Sequence, residues 1–361
     1  MPCCGPARAA DGRKSDAASS HASNVGFAHG APARYSRSRE KNENGASTLA
    51  KKIWPVVGLA AVAFSIWLLY HELRGISFSD LKESFAAISA RDWMLAAAAT
   101  LVAYAALAGY DRIALDHLGR RVGMVFVTVT SFVTYALSHN IGASVFSGAV
   151  VRYRAYSSRG LSAQEIGVLV AFCSFTFAIG TLLLTGLVLV IEPEVTERFA
   201  ELLPLQASRG IGFLILAIIG LYVLGSWLGF KPLKIRSFQL HYPRLPIVMR
   251  QLIIGPLEVS AAAAIVYFAL PEAGNPGYLV VLGIFLASFS AALISHAPGG
   301  LGVLELVFIT GLPEMDPVDL LAALVVFRLF YLIIPFILAL FAILLFERSE
   351  YARKETPAPH Q

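Results

Sequence analysis

Apolar positions in this chain come in long runs rather than in alternation. Six runs are long enough to cross a bilayer as helices, at about residues 53–71, 93–115, 164–191, 210–229, 247–270 and 320–346, since about 20 apolar residues in α-helix span the hydrocarbon core. Two further apolar segments, 123–151 and 279–312, are interrupted near their middles. The interruptions read Ser138-His139-Asn140-Ile141-Gly142 and Ser295-His296-Ala297-Pro298-Gly299, 157 residues apart. Ser-His followed by Gly or Pro-Gly breaks a helix and leaves polar groups at the break. Lipid tolerates that only where the break lines a cavity or is buried in protein. Between the first two runs, Phe78-Ser79-Asp80-Leu81-Lys82-Glu83-Ser84-Phe85 predicts a short interfacial amphipathic helix.

Charge decides how the interrupted segments thread. Residues 1–48 have almost no large apolar side chains and predict a disordered cytoplasmic tail. Residues 49–347 form the membrane domain, and 348–361 a short cytoplasmic tail. Lys51-Lys52 place the start of the first run inside under the positive-inside rule. If each interrupted segment crossed once, Arg152, Arg154 and Arg159 would face outside. If each is a re-entrant hairpin, 23 Lys/Arg lie inside and 5 outside, with Arg328 inside a span. The bias favours hairpins. Three crossings separate them, so they enter from opposite faces. The predicted fold is therefore all-α, with about six spanning helices plus two re-entrant helical hairpins arranged as an inverted repeat. Hairpin 123–151 with span 164–191 matches hairpin 279–312 with span 320–346. Transporters place substrate sites near the midplane between such repeats.

Composition agrees and narrows the function. The chain is 57% hydrophobic and 15% charged, against about 25% charged in soluble domains. Its net charge of +5 comes wholly from residues 1–52, so no nucleic-acid partner is expected. Cys3, Cys4 and Cys173 form neither a zinc spacing nor a disulfide framework. No nucleotide loop, zinc-protease motif or nucleophile elbow occurs. No cofactor and no enzymatic activity are expected.

The candidate site residues are polar groups inside apolar runs. At the first break, Ser138, His139, Asn140 and Gly142 either cap helix ends or serve as a headgroup contact or, at His139, a proton-responsive group, following Thr128, Thr130, Ser131, Thr134 and Tyr135. Arg152 and Arg154 either set topology or hold a phosphate at a cytoplasmic mouth. At the second break, His296, Pro298, Gly299, Gly300 and Gly302 give an irregular tip and a tight start to the return helix. Glu305 lies in the first turns of that helix, where a buried carboxylate is costly unless paired. Arg328 and Tyr331 in the last span are its candidate partners. Glu258 is a second intramembrane carboxylate, beside the kink expected at Gly255-Pro256. Asp111 and Arg112 are read as an interfacial pair, and Glu165 as a helix cap.

Residues 138–162 and the run His296-Ala297-Pro298-Gly299-Gly300-Leu301-Gly302-Val303-Leu304-Glu305, with Phe327-Arg328-Leu329-Phe330-Tyr331 and Pro335, resemble the membrane domain of bacterial lysylphosphatidylglycerol synthase/flippases, the multiple peptide resistance factors. The resemblance covers about residues 50–346. It implies a multi-pass protein of the bacterial cytoplasmic (inner) membrane, both termini cytoplasmic, that moves a phospholipid or related headgroup between leaflets. The sequence ends about 15 residues after its last apolar run, so the family's separate synthase activity is not expected. The implied partners are a membrane lipid, aminoacylated phosphatidylglycerol or another phospholipid, and a separate lipid-modifying synthase. The alternative is a non-transporting membrane protein that binds lipid or scaffolds such an enzyme.

Overall fold

Twelve α-helices, one π-helical turn and one pair of short strands make up the described parts of the chain. The computed structural model describes residues 78–141, 144–199, 208–229, 233–235, 238–240, 242–295 and 300–355. The run at 53–71, the tail 1–48, Gly142, and His296 to Gly299 lie outside the described residues. In chain order the helices are α1 (Phe78–Ala87), α2 (Ala90–His117), α3 (Met124–Ile141), α4 (Ser144–Ser157), α5 (Ala163–Ile191), α6 (Glu194–Glu197), α7 (Ser208–Trp227), α8 (Leu245–Ala269), α9 (Tyr278–Ser295), α10 (Val303–Gly311), α11 (Pro317–Phe327) and α12 (Ile334–Glu355). The π-helical turn, Arg328–Ile333, joins α11 to α12.

Six of the described helical stretches are long and apolar enough to cross a membrane: 90–117, 163–191, 209–227, 245–269, 278–295 and 317–344. Five coincide with runs read as spans. The sixth is α9, the first arm of the second interrupted segment. Its 18 residues rise about 27 Å, close to the thickness of the hydrocarbon core. Two differences from the expected elements stand out. Strands β1 (Leu233–Ile235) and β2 (Phe238–Leu240) pair antiparallel in the basic segment between α7 and α8, so the described chain is not wholly helical. The last helix also continues to Glu355, into the segment read as a tail.

Local signals explain several helix starts. Ser89 caps α2 by accepting the Asp92 N–H. At α5, Ser162 and Glu165 form a reciprocal capping box, and Arg120 pairs with Glu165 at 2.7 Å. Asp316 caps α11 just ahead of Pro317.

The core is built around α2 and α8, which pack along each other, with α5 crossing α8 and α11 lying against it. Residues Ala96, Ala99, Ala103, Ala106 and Ala114 of α2 and Ala261, Ala262, Ala263 and Ala269 of α8 are buried. Small faces let membrane helices approach closely. The closest crossing is at Gly180 of α5 and Gly255 of α8, where a β-carbon on Gly180 would sit 2.4 Å from the Gly255 carbonyl carbon. The two arms of each interrupted segment, α3 with α4 and α9 with α10, pack against each other.

The Gly180 crossing yields a stability prediction. Gly180→Ala should lower the thermal midpoint of the detergent-solubilised protein, at a cost of about 1–3 kcal/mol from overpacking. Gly210→Ala, with nothing within 4 Å of the added carbon, should leave the midpoint unchanged or raise it. Equal midpoints for both variants would show that the crossing is not tight.

Candidate functional site

A proline organises the centre of the site. In a regular helix residue 335 would donate to the carbonyl of residue 331, but Pro335 has no N–H. The Tyr331 carbonyl instead accepts the Tyr104 hydroxyl at 3.0 Å, and the neighbouring Leu332 carbonyl accepts Asn140 Nδ2 at 3.1 Å. The chain winds here as the π-helical turn, with the Ile334 N–H donating five residues back to Leu329. Such turns are rare and concentrate at functional sites. This one carries Arg328 and Tyr331.

Arg328 meets the second broken segment. Gly300 and Gly302 both have positive φ, +66° and +78°, a backbone that favours glycine. They turn the chain into α10, and Glu305 sits in its first turn. One carboxylate oxygen, Oε2, accepts the Gly302 N–H at 2.8 Å. The other, Oε1, accepts Arg328 Nη1. Glu305 is buried (4% exposed) and the Arg328 side chain is 14% exposed. The two remaining donor atoms of the guanidinium, Nε and Nη2, are buried and make no hydrogen bond. They form one edge of its plane, the edge that grips an oxyanion side-on.

Tyr331 does not join this pair. Its hydroxyl donates to Glu258 Oε1, and Tyr110 donates to Glu258 Oε2 at 3.3 Å. Tyr110 also reaches the Gly255 carbonyl at 3.3 Å, beside the proline of α8. His139, near the end of α3, stacks on Tyr331 with ring centroids 5.1 Å apart. Its Nδ1 is buried without a partner. Asn140 Nδ2 bonds the Ala136 carbonyl as well as Leu332. The end of α3, at the first break, and the start of α10 thus converge on one π-helical turn.

A second buried ion pair lies between α2, α4 and α5. Arg152 Nη2 approaches Asp111 Oδ1 at 2.7 Å, with side-chain exposures of 6% and 0%. Arg152 Nε also donates to both carboxylate oxygens, at 3.2 and 3.3 Å. Tyr156 donates to Oδ2 at 2.8 Å and the Cys173 thiol to Oδ1 at 3.4 Å. The Arg152 guanidinium lies 4.8 Å from the centre of the Tyr135 ring. Ser138 and Gly148 make room for it: a β-carbon on Gly148 would sit 2.8 Å from Ser138 Oγ and 3.4 Å from Arg152 Nη1.

The sequence matches the family of the lysylphosphatidylglycerol synthase transmembrane region over residues 56–339. The chain belongs to this family. An uncharacterized protein of Synechocystis, slr0712, is 33% identical over 308 residues, covering 84% of this chain and 95% of that one. The inner membrane protein YbhN of Escherichia coli is 30% identical over 251 residues, or 68% of this chain and 77% of YbhN. The phosphatidylglycerol lysyltransferase of Staphylococcus haemolyticus is 24% identical over 320 residues, which is 87% of this chain but 36% of the lysyltransferase.

Three expectations about family residues need correcting. Arg152 and Arg154 do not form a twin-arginine mouth: Arg152 is buried on Asp111, whereas Arg154 is exposed. Asp111 pairs with Arg152 rather than Arg112, which takes Asp116 one turn on at 3.3 Å. Tyr331 serves Glu258, not Glu305. In the first two cases the neighbouring charge in sequence points away from the helix face that carries the pairing. Tyr104 and Tyr110 escaped notice, although polar tips in otherwise apolar helices are the signal that marks them.

Asp111→Asn should strand the Arg152 charge and cost about 3–5 kcal/mol, whereas replacing both residues with uncharged ones of similar volume should recover most of that loss. Melting of the purified single and double variants checks this. A double variant no better than the single one would contradict the pairing.

Proposed function

We propose that this protein is a lipid translocase of the bacterial inner membrane, without enzymatic activity of its own. It passes a phospholipid headgroup across the midplane between two re-entrant helical hairpins. The observation that carries this reading is the Arg328 guanidinium, held by Glu305 through Nη1 while Nε and Nη2 stay buried and unpartnered. A buried unpaired donor is costly, and a phosphate oxygen pair fits that edge in bidentate fashion. His139 Nδ1 adds a further unpartnered group beside the same turn. His296, Pro298 and Gly299, outside the described residues, stay with this reading as candidate headgroup contacts from the sequence alone, and Arg154 would attract headgroups at the inner face.

Helix lengths support hairpins. α10 has 9 residues and α4 has 14, rising about 14 and 21 Å, short of a hydrocarbon core of about 30 Å. The positive-inside bias supports entry from opposite faces with both termini inside. Relatives named phosphatidylglycerol lysyltransferases support an anionic or aminoacylated phosphatidylglycerol as cargo, supplied by a separate synthase.

The test is transfer of tail-labelled fluorescent phosphatidylglycerol between leaflets of reconstituted vesicles, read by quenching with dithionite. Arg328→Ala should slow transfer on the order of tenfold or more, the equivalent of one charge-assisted hydrogen bond. Arg328→Lys should also fail, because an ammonium cannot offer the two-donor edge. Wild-type rates in both folded variants would sink the assignment. Copurification of a synthase with no lipid movement by the pure protein would favour a scaffolding role instead.

A further inference from the structure

The buried acids of the membrane domain are not equivalent. Asp111 has Arg152 and Glu305 has Arg328. Among the described residues, Glu258, 3% exposed, is met by hydrogen bonds from the neutral phenols of Tyr331 and Tyr110 alone. The groups facing it come from three elements. From α2 come Tyr110 and Tyr104, the latter spent on the Tyr331 carbonyl, with Asp111 held by Arg152. From α3 comes His139, stacked on Tyr331. From the π-helical turn come Tyr331 and Arg328, whose Nη1 goes to Glu305. The remaining elements packed on α8 bring no charge to it among the described residues. Arg250 of α8 itself pairs with Asp116 at 3.0 Å. Glu165 caps the start of α5, Arg209 lies in the first turn of α7, Asp319 in the first turn of α11, and α9 carries no charged residue.

We infer that Glu258 is a proton-binding site that couples lipid movement to a proton gradient. The inference rests on the reading of Arg328 as the headgroup site. Arg328 and Glu305 cancel, so an anionic headgroup brings one uncompensated negative charge into the membrane interior. An ionised Glu258 would make it two, with no described cation to answer either. A neutral Glu258 removes the second. The step is therefore protonation of the Glu258 carboxylate by a proton from the aqueous side where the headgroup loads. An O–H bond forms there, and it breaks on the opposite side as the headgroup leaves. Lipid and proton travel in the same direction, and the pair is neutral.

The geometry also supplies the link between the two sites. Ionised Glu258 accepts hydrogen bonds from both phenols. Once protonated, one of its oxygens carries an O–H that needs an acceptor, which the phenol oxygen on that side offers if its own bond reverses. Tyr110 has the Gly255 carbonyl as a second acceptor. Tyr331 sits three residues from Arg328 in the same turn, so a change in its bond reaches the headgroup site through one short stretch of backbone.

The experiment uses the full chain in phosphatidylcholine vesicles containing tail-labelled phosphatidylglycerol, with the membrane potential clamped and a pH gradient imposed in either direction. Wild-type protein should move lipid toward the alkaline side at least about fivefold faster than against the gradient, the lower range of typical coupling. Glu258→Gln, which keeps an acceptor for one phenol, should move lipid at the same rate in both gradients. Glu258→Asp should keep the gradient dependence. A pH dye trapped in the vesicles should register proton entry with lipid entry in the wild type, which covers the case of a Gln variant that does not fold. Lipid movement indifferent to the gradient, or a Gln variant that still responds to it, overturns the proton site and leaves the translocase standing. No lipid movement by the wild type overturns both.

Discussion

Every ionised group placed inside this bundle must find its counter-charge or its hydrogen-bond partners within the bundle. Water would otherwise screen and solvate such groups, and lipid does neither. The architecture reads as the set of solutions to that requirement. Asp111 is answered from α4 and α5, Glu305 from the turn before α12, and Glu258 from α2 and that same turn. Each solution joins helices far apart in sequence. The polar groups that make the fold costly to insert also fix which helices are neighbours.

The same constraint governs the backbone. Each break or proline frees carbonyls and N–H groups, and side chains from other parts of the chain take up several of them. Glu305 takes the Gly302 N–H, Tyr104 takes the carbonyl that Pro335 abandons, and Asn140 takes the next one. Hydroxyls in α3 act likewise: Ser131 bonds the Leu107 carbonyl of α2 at 2.9 Å, and Thr134 the Thr130 carbonyl at 2.6 Å. This is why a segment with Thr130, Ser131, Thr134 and Ser138 can be buried in an otherwise apolar protein. Glycines let these partners come within reach, at Gly148 beside Arg152 and at the Gly180–Gly255 crossing.

Sequence alone gave access to the helices and to part of the site. Apolar runs locate spans because length and hydropathy are sufficient for that purpose, but the same measure does not separate a crossing from a hairpin arm as long as α9. Glu305 and Arg328 were legible as partners because each stands alone in its run. Asp111 was not, because Arg112 adjoins it, and sequence proximity says nothing about which side of a helix a charge faces. Tyr331 was legible as polar but not as the donor to Glu258, because that pairing depends on the winding of six residues around Pro335. No periodicity in the sequence announces a π-helical turn. It follows from where the missing N–H falls and from which side chain arrives to replace it.

That winding has a mechanical consequence. A π-helical turn holds one more residue than the α-helix around it, and each α-helical residue turns the axis by about 100°. If the surplus residue slides along the helix, the segment it passes rotates by that step while both ends stay wound. Such a slide between α11 and α12 would turn Arg328 and Tyr331 about the helix axis without unravelling the span that carries them.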